Sequence, residues 1–305
     1  MNFVSNLRSE NLSESRVNPQ KNNLVIIRLS RGPWWLLALL AFVLWFAIDY
    51  ADNNLYQEAW ASIREGIIIT IRVSVQAYAI ALAMGLALAL LRRPSRSVFY
   101  NLFVYQPVTT YTELIRGIPT LVLLLYIVFA LIPQMINYGN EVGAWLLERN
   151  ITLLGFSAYI EQLTTRDVSA ERRAIFALAV SYSAFLSEIF RAGIESIEDG
   201  QREAARSLGM SDLQMNLYIV LPQAIRNVLP PLGNDFIAIL KESSLVSTVG
   251  VADITNLARA FNSATFTVFP GYNIIALTYL MLTLSLSILV KFLELLLGRS
   301  RQRDR

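Results

Sequence analysis

Residues 203–222 read EAARSLGMSDLQMNLYIVLP, a charged and glycine-interrupted stretch within a chain that is otherwise largely apolar. The segment QREAARSL (201–208) consists mostly of good helix formers. Gly209 can adopt the left-handed conformation that closes a helix. Ser211, followed three residues later by Gln214, fits a capping box that opens a second helix. The stretch therefore predicts two short helices joined at Gly209, the second running to Pro222, where a new element begins.

The composition around this stretch indicates an integral membrane protein. Hydrophobic residues make up 54% of the 305 residues and charged residues only 16%, whereas a soluble domain has about 45–50% and about 25%. The apolar residues gather in runs close to the roughly 20 that a membrane-spanning helix needs. Five runs meet or approach this length: Trp34–Ala51, Ile67–Leu91, Ile118–Ile132, Ala174–Phe190 and Asn273–Leu297.

The distribution of basic residues favours a sixth, more polar span over residues 223–250. With six spans, 16 of the 26 Lys and Arg lie on the side of both termini and 6 on the opposite side, as the positive-inside rule requires. With five spans, the tail RSRQRDR (299–305) would lie outside. We expect a multi-pass membrane protein with both termini cytoplasmic. The polar residues 1–33 then form a cytoplasmic tail without a signal peptide, and Arg172 and Arg173 are exceptions on the outer side.

Several classes of chemistry are excluded by residues that the sequence lacks. There is no Cys and no His, so we expect no catalytic residue and no metal site of these types. No phosphate-binding Gly-Lys-Ser/Thr motif occurs, since the three lysines are at positions 21, 241 and 291. The net charge of +3 reflects arginines at span ends rather than a nucleic-acid-binding surface. The chain is expected to bind no cofactor itself.

The long outer loop at 133–173 permits two interpretations. Its apolar pairs at helical spacing fit a helix in the membrane interface, where Trp145 and Tyr159 would be at a suitable depth. Alternatively, it is a variable loop that packs on the bundle.

Charged residues within or beside the spans are expected to face the interior of the bundle or to reach its ends. Arg72, near the outer end of its span and on the same face as Gln76, is expected to extend toward the interface. Two acid–base pairs at a spacing of three residues stand on the cytoplasmic side. They are Glu113 with Arg116 and Glu188 with Arg191. We expect these pairs to act as a brace or a gate between neighbouring helices.

The segment 223–250 is the candidate substrate pathway. Pro230, Pro231 and Gly233 favour a broken helix, which at membrane depth is tolerated where it lines a cavity. Polar side chains follow that can bind the ammonium and carboxylate groups of an amino acid or form internal ion pairs. They are Asn234, Asp235, Lys241, Glu242 and Ser243.

The opening stretch resembles the signature of permease subunits in bacterial ABC importers. The seven fixed positions are Glu203, Ala204, Ala205, Gly209, Ile219, Leu221 and Pro222. Arg206 can add a charged contact at the rim. The stretches TELIRGIPTLVLLLYIVF (112–129), SAFLSEIFRAGIESI (183–197) and LPPLGNDFIAILKESSLVSTVGV (229–251) are similar to the polar amino-acid branch of that family. The resemblance covers residues 62–298, and the 1–51 extension with the long outer loop is similar to the general L-amino-acid permeases.

This resemblance implies an all-α polytopic helix bundle with the type I ABC importer permease fold, an extra transmembrane helix at 34–51 and a coupling helix within 201–222. It implies separate ATPase subunits that carry ATP and Mg²⁺, a second permease of the same or a sister chain, an external solute-binding protein, surrounding lipid and a polar L-amino acid as substrate. Two alternatives remain at this stage. They are an ion-coupled secondary transporter with Asp235 or Glu242 as the coupling site, and a membrane scaffold without transport activity.

Overall fold

The computed structural model describes residues 34–149 and 163–303, and every regular element within these ranges is helical. The chain divides into two compact units, Met1–Asn54 and Leu55–Arg305. The first contributes helix α1, Trp34–Asp52, whose 19 residues give a length of about 28 Å at 1.5 Å per residue. This length suits the roughly 30 Å hydrocarbon layer and coincides with the predicted first span.

The second unit contains the remaining helices. Its first half comprises α2 (Asn54–Ile63), α3 (Glu65–Leu91), a short turn at Val98–Tyr100 with a π-helical segment Asn101–Tyr105, α4 (Gln106–Gly117), α5 (Thr120–Tyr126), a second π-helical segment Ile127–Leu131 and α6 (Ile132–Glu148). Its second half comprises α7 (Ala170–Glu195), α8 (Asp199–Ser207), α9 (Asp212–Met215), a third π-helical segment Asn216–Val220, α10 (Leu221–Glu242), a 3₁₀ segment Ser243–Val249, α11 (Ile254–Thr265) and α12 (Phe269–Arg303).

Four helical stretches among the described residues are long and apolar enough to cross a membrane. They are Asn54–Leu91, Thr120–Glu148, Ala170–Glu195 and Phe269–Leu295. Helix α10 has 22 residues but is too polar to meet the same criterion. The span predicted at 223–250 therefore continues to rest on the distribution of basic residues.

The third span and the outer loop differ from the prediction. The helical path that begins at Thr120 continues without interruption to Glu148, so the first part of the predicted loop is helical. Trp145 lies on α6, half exposed, and the Arg149 guanidinium carbon lies 3.8 Å from the centre of its ring. The predicted position of Tyr159 falls outside the described residues.

The prolines do not break the helices where we expected. Pro222 lies in the first turn of α10, and the chain is continuously helical from Asp212 to Glu242. Pro230 and Pro231 remove two backbone donors, yet α10 passes through both. Neighbouring helices contact α10 before and after the prolines. Val228 packs against Gly193 of α7, and Gly233 packs against Val290 of α12. The break follows Glu242 instead, where the backbone changes to a 3₁₀ helix that ends at Gly250, with a φ of 86°.

The core is formed around α7, which is the most buried of the four apolar stretches. Leu178 and Leu186 on α7 are fully buried, as are Val73 on α3 and Leu124 on α5. Small residues allow the backbones to approach closely, which is typical of helices packed within a membrane. A Cβ at Gly85 of α3 would lie only 2.8 Å from Cβ of Leu186.

Candidate functional site

The turn at Gly209 has the geometry that the sequence predicts. Gly209 has a φ of +75°, and the amide of Met210 donates to the Ala205 carbonyl at 3.1 Å. The Gly209 amide donates to the Arg206 carbonyl at 3.0 Å. This pair of bonds is the Schellman arrangement that closes a helix.

The capping box at the start of α9 is also confirmed. The Gln214 amide donates to Oγ of Ser211 at 3.3 Å, and the Ser211 amide donates to Oε1 of Gln214 at 2.9 Å. Arg206 lies 3.5 Å from Asp212 across the turn, with both side chains largely exposed. An exposed pair of this kind contributes little to stability, so the backbone bonds and the cap define the turn.

One face of this segment is buried and the other is exposed. The buried face forms a small apolar cluster separate from the main core. Its buried members are Ile197, Ala205, Met215 and Val220, and Ile194, Met210 and Ile219 pack against it. On the opposite face, Leu208 is 81% exposed and Leu213 is 76% exposed. We call this exposed pair the docking leucines.

The seven signature positions are therefore divided between the two faces. Ala205 is fully buried and Ile219 is half buried against the apolar cluster. Glu203 and Ala204 are exposed on α8, and Leu221 and Pro222 are exposed at the start of α10. The Glu203 carbonyl accepts a hydrogen bond from Oγ of Ser207 at 3.0 Å, while its carboxylate forms no ion pair among the described residues.

The two predicted acid–base pairs are joined by an arginine that the sequence reasoning did not single out. Nη2 of Arg92 lies 2.6 Å from Oε1 of Glu113, and its Nη1 lies 3.0 Å from Oε2 of Glu188. The Arg92 side chain is only 12% exposed. It follows α3, so it connects the ends of α3, α4 and α7. Its neighbour Arg93 is exposed, and the sequence gives no means of telling the two arginines apart.

Each predicted pair is also present. Arg191 bonds Glu188 directly, and its Nη1 lies 2.6 Å from Oε2 of Glu195. Arg116 approaches Glu113 more loosely, at 3.9 Å. Hydrogen bonds to charged groups are stronger than neutral ones, and Arg92 makes two of them with carboxylates of different helices. We call Arg92, Glu113 and Glu188 the arginine bridge.

Arg72 also differs from the expectation. Its Nε and Nη2 lie 2.7 and 2.8 Å from the two carboxylate oxygens of Glu171, forming a bidentate pair between α3 and α7. The Arg72 side chain is half exposed, as expected for a side chain that extends toward the interface, but it also has a partner that was not expected. Glu171 lies at the start of α7, 99 positions away, and spacing along the chain cannot predict such a contact.

The candidate pathway residues, four on α10 and Ser243 at the start of the 3₁₀ segment, occupy three different environments. Asn234 and Lys241, seven residues apart, are exposed, whereas Asp235 and Glu242 are half buried on an adjacent face. Ser243 is fully buried, and its hydroxyl donates to the Leu240 carbonyl at 2.7 Å. The five residues therefore do not converge on one point.

Two tyrosines not identified from the sequence lie beside the acidic face of α10. The Tyr78 ring centre is 5.1 Å from that of Phe236, and its hydroxyl donates to the Leu232 carbonyl at 2.6 Å. Tyr182 of α7 interacts electrostatically with Asp235 and Glu242. Oε2 of Glu242 is buried without a hydrogen-bond partner among the described residues. The Glu242 carboxylate nevertheless has a side-chain hydrogen bond with Tyr182, so it is partly satisfied within the bundle.

Asp253 is a second buried acid that the sequence reasoning missed. It is fully buried and caps α11, where its Oδ1 accepts from the Asn256 amide at 2.9 Å. Its Oδ2 accepts from the Tyr279 hydroxyl at 3.4 Å. An Asp three residues before Asn256 at the start of a helix is a capping signal that could have located it. The contacts indicate a structural role that fixes α11 against α12.

These features define a class of protein, a helical membrane protein with a polar helix in its bundle and a compact turn between α7 and α10 that exposes apolar side chains. Comparison with known proteins places it in a family. The family described as binding-protein-dependent transport system inner membrane component matches residues 79–300. The chain belongs to this family. It is the permease subunit of an ABC importer. The permease itself is not an enzyme, because ATP is hydrolysed by separate subunits.

Individual relatives agree with this assignment. The probable glutamine ABC transporter permease protein GlnM of Bacillus subtilis (strain 168) is 40% identical over 192 residues, which cover 63% of this chain and 75% of GlnM. The arginine ABC transporter permease protein ArtQ of Haemophilus influenzae is 30% identical over 197 residues, covering 64% of this chain and 78% of ArtQ.

Solved structures share the fold. An amino acid ABC transporter crystallised with histidines is 34% identical, with a TM-score of 0.59 over 81% of this chain and 95% of the other. The MetNI methionine ABC transporter, in an inward facing conformation, matches 78% of this chain and 94% of its own with a TM-score of 0.52. Its 17% identity makes it a likeness of fold alone.

Proposed function

We propose that this permease imports polar L-amino acids across the bacterial inner membrane, with both of its termini in the cytoplasm. Its partners are ATPase subunits, a second permease copy or sister chain, and a solute-binding protein on the outer side. The printed names of relatives that transport glutamine or arginine and the composition of α10 support the substrate class. The observation that carries the proposal is the geometry of the turn around Gly209, residues 203–222, which we call the docking turn.

The docking leucines provide the contact with the ATPase subunit. Large apolar side chains exposed to water are costly unless a partner covers them, and exposed apolar groups rimmed by charge are typical of interaction sites. Here Leu208 and Leu213 lie on either side of Gly209, with Glu203 and Arg206 nearby at the rim. We propose that Glu203, Ala204, Ala205, Arg206, Gly209, Ile219, Leu221 and Pro222 form the coupling segment.

The small apolar cluster beneath the turn links the coupling segment to the bundle. Ile194 and Ile197 come from the end of α7 and the residues after it, while Val220 immediately precedes α10. Asn227 of α10 donates to Oγ of Ser196 at 2.8 Å. Because α7 is the core helix and α10 carries the polar residues, closure of the ATPase dimer can reorient both at once.

The exposed and half-buried residues of α10 form the proposed pathway. An amino-acid ammonium group can bind Asp235 or Glu242, and a carboxylate can bind Lys241 through charge-assisted hydrogen bonds. Asn234 lies on the same face as Lys241, and Ser243 supports the helix end through its bond to Leu240. Glu242 has a hydrogen bond with Tyr182, and its Oε2 has no partner among the described residues, which leaves one acceptor for a substrate donor.

The arginine bridge acts as a brace on the cytoplasmic side in the conformation described. It fixes the ends of α3, α4 and α7 through Glu113 and Glu188, with Arg116 and Arg191 as secondary partners. A set of ion pairs that spans three helices must be at least partly broken if those helix ends separate.

Reconstitution tests this proposal against the ion-coupled alternative. The permease, its ATPase and its binding protein are placed in proteoliposomes, and uptake of labelled glutamine and arginine is measured with ATP, or with a sodium or proton gradient alone. We expect uptake only with ATP. Uptake driven by a gradient in the absence of ATPase would contradict the proposal.

The docking surface is tested separately with charge reversal. Glu203→Lys should reduce the amount of substrate imported per ATP hydrolysed, while the chain still inserts and assembles. Asp199→Lys makes the same charge reversal at an exposed position of α8 outside the signature and serves as the matched control. Equal coupling in the two variants would show that Glu203 has no specific role in docking.

A further inference from the structure

Arg172 and Arg173 have no role in the proposed transport cycle, yet they are two of the six basic residues on the predicted outer side and flank a span directly. Both line a groove of about 410 Å³ between α6 and the start of α7. The remainder of the groove is apolar. Its other lining residues are Ile132, Met135, Ile136, Gly139, Leu163, Val168 and Phe176.

Neither arginine side chain is paired within the described residues 34–149 and 163–303. The nearest acidic residues along the chain have other partners. Glu171 is bound in bidentate fashion by Arg72, and Asp167 accepts from the amide and the hydroxyl of Thr164 at 2.7 Å each. Those bonds also hold the pKa of Asp167 below its ordinary value. Neither guanidinium group therefore has an acidic side chain as its partner in this part of the chain.

Arg173 adds a more specific signal. The residue is only half buried, but its Nε is inaccessible and has no hydrogen-bond partner among the described residues. A buried donor attached to a cation is expensive to leave unsatisfied. Arg172, one position earlier, is exposed. Together they provide several donors at the polar end of an apolar groove.

A ligand that satisfies this arrangement must be both anionic and apolar. A free anion would leave the apolar floor around Ile136 and Phe176 uncovered, and an uncharged acyl chain would leave the arginines unpaired. We propose that the groove binds an anionic phospholipid, whose phosphate pairs with Arg172 and Arg173 while one acyl chain covers the apolar floor. Guanidinium groups pair with phosphate oxygens through strong, charge-assisted hydrogen bonds.

The proposal accounts for the outer arginines that the positive-inside rule leaves unexplained. A phospholipid in the groove would neutralise their charge and cover the junction between α6 and α7. It is independent of the proposed substrate and of the docking turn, because the groove shares no residue with either.

The test measures lipid binding to the purified importer complex by native mass spectrometry. Phosphatidylglycerol is compared with phosphatidylcholine of the same acyl length. We expect preferential binding of phosphatidylglycerol to wild type. In the double variant Arg172→Gln/Arg173→Gln, we expect affinity for phosphatidylglycerol to fall roughly 25-fold, from about 1 kcal/mol for each basic residue near a membrane surface.

Three controls separate the lipid site from other causes. Arg166→Gln removes an exposed charge before α7 that does not line the groove, and it should leave binding unchanged. The double variant Arg172→Lys/Arg173→Lys keeps both positive charges and should retain most of the affinity for phosphatidylglycerol. Ile136→Gln should weaken binding of phosphatidylglycerol through the apolar floor alone.

Two results would overturn the proposal. The first is an equal loss of phosphatidylglycerol binding in Arg166→Gln and in the double Gln variant. The second is competition by inorganic phosphate or glycerol phosphate with the same affinity as the lipid, which would identify the site as one for a small anion.

Discussion

Replacement of Gly209 by alanine should weaken the docking turn without disturbing any neighbouring side chain. A Cβ at Gly209 would meet nothing within 4 Å, so the change acts only through the backbone. With a φ of +75°, an L-residue at this position costs about 1–2 kcal/mol. The equilibrium constant for forming the turn should therefore fall about 5- to 30-fold. Asn tolerates this backbone conformation better, so Gly209→Asn should lie between wild type and Gly209→Ala.

Two quantities are measured. The affinity for the ATPase subunit is measured with the permease in nanodiscs, and the amount of substrate imported per ATP hydrolysed is measured in proteoliposomes. Gly200→Ala is the matched control, because Gly200 also has open space around its Cβ position but no positive φ. It should bind the ATPase as well as wild type does, since alanine is the better helix former. The reasoning fails if Gly209→Ala equals Gly200→Ala in both affinity and coupling.

Three further predictions concern the bundle. Arg92→Ala removes both bonds of the arginine bridge and should lower the free energy of unfolding by about 1.5–3 kcal/mol. Arg93→Ala should change the free energy of unfolding little, and denaturant unfolding compares the two variants. Lys241→Ala should raise the KM for import or shift the substrate range, and unchanged kinetics with intact assembly would exclude Lys241 from the pathway. Gly66→Ala would place a Cβ 2.6 Å from the backbone nitrogen that begins α11 and should destabilise the chain by about 1–3 kcal/mol, whereas Gly117→Ala, with open space, should not; thermal unfolding distinguishes them.

The features that the sequence predicted well depend on short-range interactions. The left-handed backbone of Gly209 and the reciprocal bonds between Ser211 and Gln214 involve residues only a few positions apart. Their residue types have few alternative uses at a helix end. The same applies to the pair Glu188–Arg191, which lies on one face of a single helix.

The features that the sequence did not predict depend on how distant segments meet. Arg92 and Arg93 are adjacent and identical, and only the packing of α3 against α4 and α7 directs Arg92 toward two carboxylates. Arg72 and Glu171 are 99 positions apart. Proline was also an unreliable guide, because neighbouring helices hold α10 on either side of Pro230 and Pro231.

The small apolar cluster beneath the docking leucines has a mechanical consequence. A flexible linker between the turn and the bundle would deform when the turn is displaced, and the helices of the bundle would then move less than the turn. Here Ala205 and Met215 share one apolar cluster with Ile194 of α7 and with Val220, which immediately precedes α10. No flexible linker therefore separates the turn from these two helices. If the ATPase subunit contacts Leu208 and Leu213 as proposed, a displacement of the turn would move α7 and α10 together.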